Sequence, residues 1–486
     1  MGFNIKEDRN LTMLTDFYQL TMCNGYFNSE LKETIGIFDM FFRKVPDKGG
    51  FAIAAGLEQL IEYLKNIKFS QEDIAYLREK QLFSEAFLSY LKTFTFTCDV
   101  WAVKEGTVIF PNEPIVTVRG NIIEAQFIET MVLLSINYQS LIATKANRIV
   151  RAAQNRGVFE FGSRRAQGYD GAILGARAAY IGGCSATACV MADCAYKIPV
   201  VGTMAHSWVQ LFDSEILAFQ TYAQHYPDDC VLLIDTYNVV NSGVPNAIKV
   251  FDSVLKPQNK RPKAVRIDSG DIAYLSKKVR IMLDKAGYED VKIIASNSLD
   301  EFIIRDLLLQ DAKVDLFGVG ENLITSKSDP IFGGVYKLVA IQKGDVYTPK
   351  IKLSETMEKI TTPHFKNLYR FYNKENGKAI ADYITLKQEI VNTDALLTIF
   401  DPVCTWKTKT LVNFTAKCLL EPIFEKGVCV YECPSLEEIK TYCKQQVDSI
   451  WDEVKRFEYP HKYYVDLSQS LWDVKNKMLM EYQTKE

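Results

Sequence analysis

With 486 residues, 48% of them hydrophobic and 24% charged, the chain has the composition of an ordinary globular protein. That length suits two or three domains, or one barrel with elaborations. A net charge of −3 excludes the basic excess of a nucleic-acid binder, so an anionic ligand must be drawn by a local cluster. No window approaches the ~18 uninterrupted apolar residues of a membrane span. The 11 cysteines are odd in number and scattered, which favours a reducing, cytoplasmic setting over a disulfide framework.

Residues 1–10 read as a charged tail. The start has no apolar targeting core, and Lys6 stands where a myristoylation signal needs Ser or Thr. Residues 11–27 predict an amphipathic helix carrying Thr15-Asp16-Phe17-Tyr18-Gln19, and 35–45 a strand. Helical periodicity over 53–92 and Gly- and Pro-punctuated strands over 98–118 complete a mixed α/β domain spanning 1–121.

A long helix is predicted over 122–155, and then the texture changes. Short apolar runs alternate with helix-length segments at 158–161, 199–202, 231–234, 264–267, 292–295, 314–317 and 335–340, with an eighth near 180–182. Such alternation predicts a parallel sheet with crossover helices, most simply an irregular β/α barrel, here placed over 122–345. From 347 the pattern becomes strand-like and then helical over 436–456, a smaller C-terminal subdomain assigned to 346–486.

The polar residues stand where the apolar runs stop: Arg164, His206, Asp235, Asp268 with Asp271, Ser296 with Asn297, and Gly318 with Gly320. In a β/α barrel these loops converge on one mouth. Arg164-Arg165 between glycines offers paired donors to phosphate or carboxylate, against the plainer reading of a solvated loop pair. Phe161 beside them is a core residue or an aromatic platform. His206, one of four histidines, suits acid–base or nucleophilic work, although a lone strand-end histidine is more often structural. Thr203 and the Asp235 and Asp268 loops favour the functional role. Arg266 could hold an anion, and Asp268 and Asp271 could meet ribose hydroxyls or hydrated Mg2+; Ser269 or Asp271 could equally cap a helix. Gly318-Val319-Gly320 could cradle phosphate, a weak signal alone. Cys184, Cys189 and Cys194, five residues apart, rotate by ~140° per step on a helix and cannot share one metal.

Together these segments resemble the nicotinate phosphoribosyltransferase family. The resemblance rests on 14–19, 159–168, Gly202-Thr203-Met204-Ala205-His206-Ser207, Arg266-Ile267-Asp268-Ser269-Gly270-Asp271, Ser296-Asn297, 318–320, 333–338 and Pro460-His461 with Tyr463. It implies formation of nicotinate mononucleotide and pyrophosphate from nicotinate and phosphoribosyl pyrophosphate, with coupled ATP hydrolysis and Mg2+. It further implies a homodimer with shared sites, in which His206 is transiently phosphorylated and Tyr18 of a neighbouring subunit stacks on the pyridine opposite Phe161. Thr203 and Arg266 then hold nicotinate, Arg164 serves the phosphoribosyl side, and Asp235 and Asp268 hold Mg2+ directly or through water. Ser185 stands where the related nicotinamide enzyme carries an Asp that would repel a carboxylate, which favours nicotinate. Glu321 departs from the small hydroxyl residue usual after Gly320; a carboxylate there needs a lysine, Mg2+ or an outward orientation.

Overall fold

Six short parallel strands carry the polar loops. In the computed structural model, which describes residues 9–355 and 359–483, their order is Ala186–Thr187, Gly157–Glu160, Leu316–Val319, Lys292–Ser296, Ala264–Ile267 and Val231–Leu233. The first strand in sequence lies beside the last, as in a barrel. Val200 adds one bridge to Thr187, and the ring stays open between Val200 and Val231–Leu233, leaving a half-barrel. Parallel neighbours need long crossovers, and the helices Gly168–Ile181, Glu215–His225, Ile272–Lys285 and Glu301–Leu309 are among those that supply them. Near-continuous burial along Lys292–Ser296 and Leu316–Val319 follows, since a covered parallel sheet has no wet face.

Two predicted strands fall elsewhere. The run 335–340 belongs to Gly334–Lys343, which pairs antiparallel with Ile35–Phe42 in a different sheet. Residues 180–182 close the helix Gly168–Ile181, and the strand follows five residues later at Ala186–Thr187. An apolar run alone does not separate a buried strand from a buried helix end.

The chain packs as two compact units, one of them Ile142–Pro330 and the other combining the residues up to Leu141 with those from Ile331. This grouping cuts across the sequential division 1–121, 122–345 and 346–486. Its cause is a seven-stranded sheet to which both ends of the chain contribute, in the order Val346–Pro349, Gly334–Lys343, Ile35–Phe42, Val116–Asn121, Asp99–Ala102, Glu421–Glu425, Val428–Cys429. A second sheet of four strands, with Lys366–Asn373 and Ala379–Leu386 at its centre, belongs to the same unit.

Local chemistry sets several boundaries. The first helix starts at Phe17 rather than Leu11, because Asp16 is tied through its N–H and its carboxylate to the Thr130 hydroxyl, at 3.1 and 3.0 Å. The 53–92 region forms three helices, and Ser70 with Asp73 makes a capping box at the start of Gln71–Glu79. The long helix breaks once, into Ile122–Phe127 and Glu129–Ala152. All cysteines are free thiols. The start of the chain, with Lys6, lies outside the described residues.

Candidate active site

Arg266 organises the carboxyl end of the half-barrel. It lies in the strand Ala264–Ile267, and its guanidinium spends three nitrogens on three different loops. Nε donates to Ser296 Oγ at 2.9 Å, Nη1 to Thr203 Oγ1 at 3.3 Å and Nη2 to Asp268 Oδ1 at 2.9 Å. Ser296, at the end of the adjacent strand, also donates its hydroxyl hydrogen to Asp268. The guanidinium carbon sits 5.6 Å from the centroid of the Phe161 ring. A planar cation locked by such a fork presents a defined edge to a carboxylate or phosphate.

Phe161 is held as firmly. Its N–H donates to the Val319 carbonyl at 2.8 Å. Gly318 admits the ring, since a Cβ there would meet Phe161 Cδ2 at 2.5 Å. The preceding residue, the buried Glu160, accepts from the Thr187 hydroxyl at 2.6 Å and from the Gly162 N–H. Burial pushes the Glu160 carboxyl up, while the bonds from Thr187 and Gly162 pull it back down.

His206 sits between two of the predicted loops. Its Nδ1 is 3.1 Å from Thr236 Oγ1, and its Nε2 is 3.8 Å from Asp268 Oδ2. Asp235 joins the same loops, because its Oδ2 accepts from the Asp268 N–H at 3.0 Å and from the Ser269 hydroxyl at 2.6 Å. Its other oxygen, Oδ1, is buried and has no hydrogen-bond partner among the described residues. A buried orphan carboxylate oxygen beside a second carboxylate suits Mg2+, which commonly takes one or two carboxylates and completes its shell with water and substrate phosphates. Among the described residues no group of three or more His, Cys, Asp or Glu side chains is arranged as a metal cage.

The Gly318-Val319-Gly320 backbone follows the strand Leu316–Val319 into the short helix Glu321–Ile324. Glu321, the departure from the family pattern, meets Lys327 at 2.9 Å and Arg165 at 3.9 Å. Lys327 first, then Arg165, holds its carboxyl below the usual range. Arg164 is exposed in the turn Ser163–Arg165, with no hydrogen bond or ion pair among the described residues. Asn297 and Ser298 both take positive φ, 96° and 45°, so the loop after Ser296 turns sharply. Asp271 is a helix cap, accepting from the Tyr274 N–H at 2.9 Å at the start of Ile272–Lys285.

Ser185 requires a correction. The register pairs Phe159 with Ala186 and Glu160 with Thr187, and the Ser185 N–H donates to the Val158 carbonyl at 2.8 Å. Ser185 is therefore level with the start of the strand, at the end opposite the mouth. The residue level with Phe161 is Ala188, whose N–H donates to the Glu160 carbonyl at 2.9 Å. Tyr18 belongs to the other unit and is 47% exposed on the helix Phe17–Phe27. Thr236 and Glu160 escaped the sequence reading, although a hydroxyl directly after a strand-end Asp and a carboxylate between two phenylalanines were visible signals.

The chain matches the nicotinate phosphoribosyltransferase (NAPRTase) N-terminal domain over 13–137, the NAPRTase family over 157–376 and the C-terminal domain over 365–475. A nicotinate phosphoribosyltransferase of Bacillus subtilis is 44% identical over 485 residues, covering 100% of this chain and 98% of that one. One from Caenorhabditis elegans is 35% identical, with 95% and 92% covered. The crystal structure of human nicotinic acid phosphoribosyltransferase superposes with a TM-score of 0.83 at 27% identity, covering 96% of this chain and all of that one. The chain belongs to the nicotinate phosphoribosyltransferase family.

Proposed function

We propose that the chain forms nicotinate mononucleotide and pyrophosphate from nicotinate and phosphoribosyl pyrophosphate, with ATP hydrolysis coupled through His206, as a homodimer. The observation that carries this reading is the Arg266 fork, fixed by Ser296, Thr203 and Asp268 over the face of Phe161. A pyridine carboxylate suits that pair, the ring lying on the phenyl face and the carboxylate meeting the guanidinium edge and the Thr203 hydroxyl. The preference for the acid over the amide now rests on Arg266 and on the relatives, not on Ser185.

The ring nitrogen attacks the anomeric carbon as pyrophosphate leaves, so positive charge builds on the ribose. Arg164 and Arg165 are cations beside this mouth, and the glycine backbone of 318–320 allows close approach of phosphate oxygens. Asp235 Oδ1 and Asp268 would hold Mg2+, which would neutralise the departing pyrophosphate. Phe161, pinned to Val319, keeps the ring in line with the carbon it attacks. Tyr18 of a second copy is assigned the opposite face of the ring.

At His206, Thr236 occupies Nδ1 and leaves Nε2 without a hydrogen bond among the described residues, so Nε2 is the nitrogen assigned to attack the γ-phosphorus of ATP. ADP departs, and later hydrolysis of the phosphoramidate returns free histidine and phosphate. In between, the added charge stands beside Asp268, the carboxylate that also holds Arg266, so phosphorylation reaches the substrate subsite through one shared residue.

Product analysis by mass spectrometry, with nicotinate or nicotinamide and with or without ATP, tests the reading. Nicotinate mononucleotide is expected, formed faster with ATP; nicotinamide mononucleotide as the dominant product would overturn the substrate assignment. An undiminished, ATP-stimulated rate in His206→Ala would overturn the role of His206.

A further inference from the structure

A cavity of about 410 Å3 lies in the unit that holds both chain termini, far along the sequence from the loops described above. Asn373, Asn376 and Lys378, from the hairpin between Lys366–Asn373 and Ala379–Leu386, line it with Lys409 and Trp451. Ile380, Leu411 and Val412 add an apolar wall.

Apart from the Thr410 hydroxyl, which pairs with Thr398 Oγ1 at 3.0 Å, the polar side chains of this lining are two asparagines and two lysines. Asn373 Oδ1 accepts from the N–H groups of Glu375 and Asn376, at 2.7 and 3.3 Å, and Asn376 Oδ1 accepts from the Lys378 N–H at 2.9 Å. A backbone N–H requires an oxygen opposite it, so these bonds fix which way each amide points. Asn373 Oδ1 thus accepts two bonds of the turn and Asn376 Oδ1 one, and neither NH2 group has a partner among the described residues. The Lys409 ammonium stands 5.0 Å from the Trp451 ring centroid and 5.1 Å from that of Tyr464, and makes no hydrogen bond or ion pair among the described residues. Burial draws its pKa down while Asp466 draws it up, the condition of a partly dehydrated cation without an anion in contact. The Lys378 ammonium caps the helix Leu436–Ser449 through the Asp448 carbonyl at 2.6 Å and keeps its charge at the cavity. Two cations and two amide donors adjoin an indole and an aliphatic wall.

We infer that this cavity binds a nucleoside phosphate, the phosphate against Lys409 and the two asparagine NH2 groups and the base against Trp451 and the apolar wall. Two ammonium groups and two free NH2 groups, with no carboxylate in the lining, favour oxyanions over cations. An inorganic anion would leave the indole and the aliphatic side chains unused, whereas a flat heterocycle covers them. The volume lies within the ~300–1,000 Å3 range of small-molecule sites. The site is distinct in sequence from the catalytic loops and does not rest on the phosphoribosyl reading.

Photolabelling of the full-length protein with 8-azido-AMP, followed by peptide mapping, tests this. Label is expected on peptides containing 373–380, 409–412 or Trp451, with protection by AMP and none by inorganic phosphate. Lys409→Gln and Asn376→Asp should each lower that labelling at least about tenfold. Asn376→Asp keeps the oxygen that the turn needs and replaces the donor by a negative acceptor, so the hairpin stays intact. Label confined to 142–330, or undiminished in both variants, would overturn the site. Equal protection by inorganic phosphate would overturn the nucleoside assignment.

Discussion

A methyl group on Gly318 would come within 2.5 Å of Phe161 Cδ2, closer than carbon atoms approach without displacement. The aromatic platform and the phosphate-loop glycine are therefore one packing unit. Gly318→Ala is expected to push the Phe161 ring outward, to destabilise the unit by roughly 1–3 kcal/mol, and to raise KM for nicotinate. Steady-state kinetics and thermal melts check this; an unchanged KM would separate Phe161 from the ring subsite.

Arg266 donates to three loops, a geometry that lysine's single ammonium cannot reproduce. Arg266→Lys should lower kcat/KM for nicotinate on the order of a hundredfold, with little loss of stability. A decrease confined to the phosphoribosyl pyrophosphate KM would reassign the residue to the other substrate.

Thr236 is the sole hydrogen-bond partner of His206 Nδ1 among the described residues. Thr236→Val preserves shape and removes the hydroxyl. The acid-labile phosphate formed from γ-labelled ATP should fall roughly tenfold, and the ATP stimulation of turnover should fall with it. Labelling at the parental rate would leave the orientation of His206 to Asp268 alone.

Ser185 and Ala188 make opposite predictions because they lie at opposite ends of the same sheet. Ser185→Asp should leave the nicotinate-to-nicotinamide ratio of kcat/KM within about twofold. Ala188→Asp puts a carboxylate level with Phe161 and should lower that ratio roughly tenfold or more. Measuring both ratios in parallel decides which position faces the ring.

Burial, with Asp401 adding repulsion, pushes the Asp466 carboxyl up to about 7, against the opposing pull of Lys462 and Lys409. A raised carboxyl pKa favours the folded state below the unfolded value near ~4, and that contribution is lost as pH rises through about 7. Asp466→Asn removes the dependence. It should be more stable than the parent at pH ~8 by on the order of 1–2 kcal/mol and similar to it at pH ~4. Parallel melts at the two pH values check the sign.

How much of this was legible in the sequence depends on how local each cause is. A buried run followed by a polar residue marks a strand ending in a functional loop, and both halves of that signal lie within a few residues. The ends at Phe161, Asp235, Asp268, Ser296 and Gly318 were therefore readable, and in the fold they gather on one sheet. So was the helix cap at Asp271. Of the three arrangements open to Glu321, a lysine, Mg2+ or an outward orientation, Lys327 supplies the first from six residues away.

What tertiary structure decided was pairing and register. Residues 335–340 had the texture of a barrel strand, but Ile35–Phe42, some three hundred residues earlier, pairs with them through its antiparallel edge. Ser185 lay in a plausible loop, and only the alignment of Glu160 with Thr187 shows it three residues short of the mouth. Strand pairing depends on backbone hydrogen bonds that any residue except proline can make, so composition says little about which strands meet or in what phase. The sequence by itself determined which side chains emerge from buried strands; the fold decided which of those strands are neighbours, and so which side chains share a site.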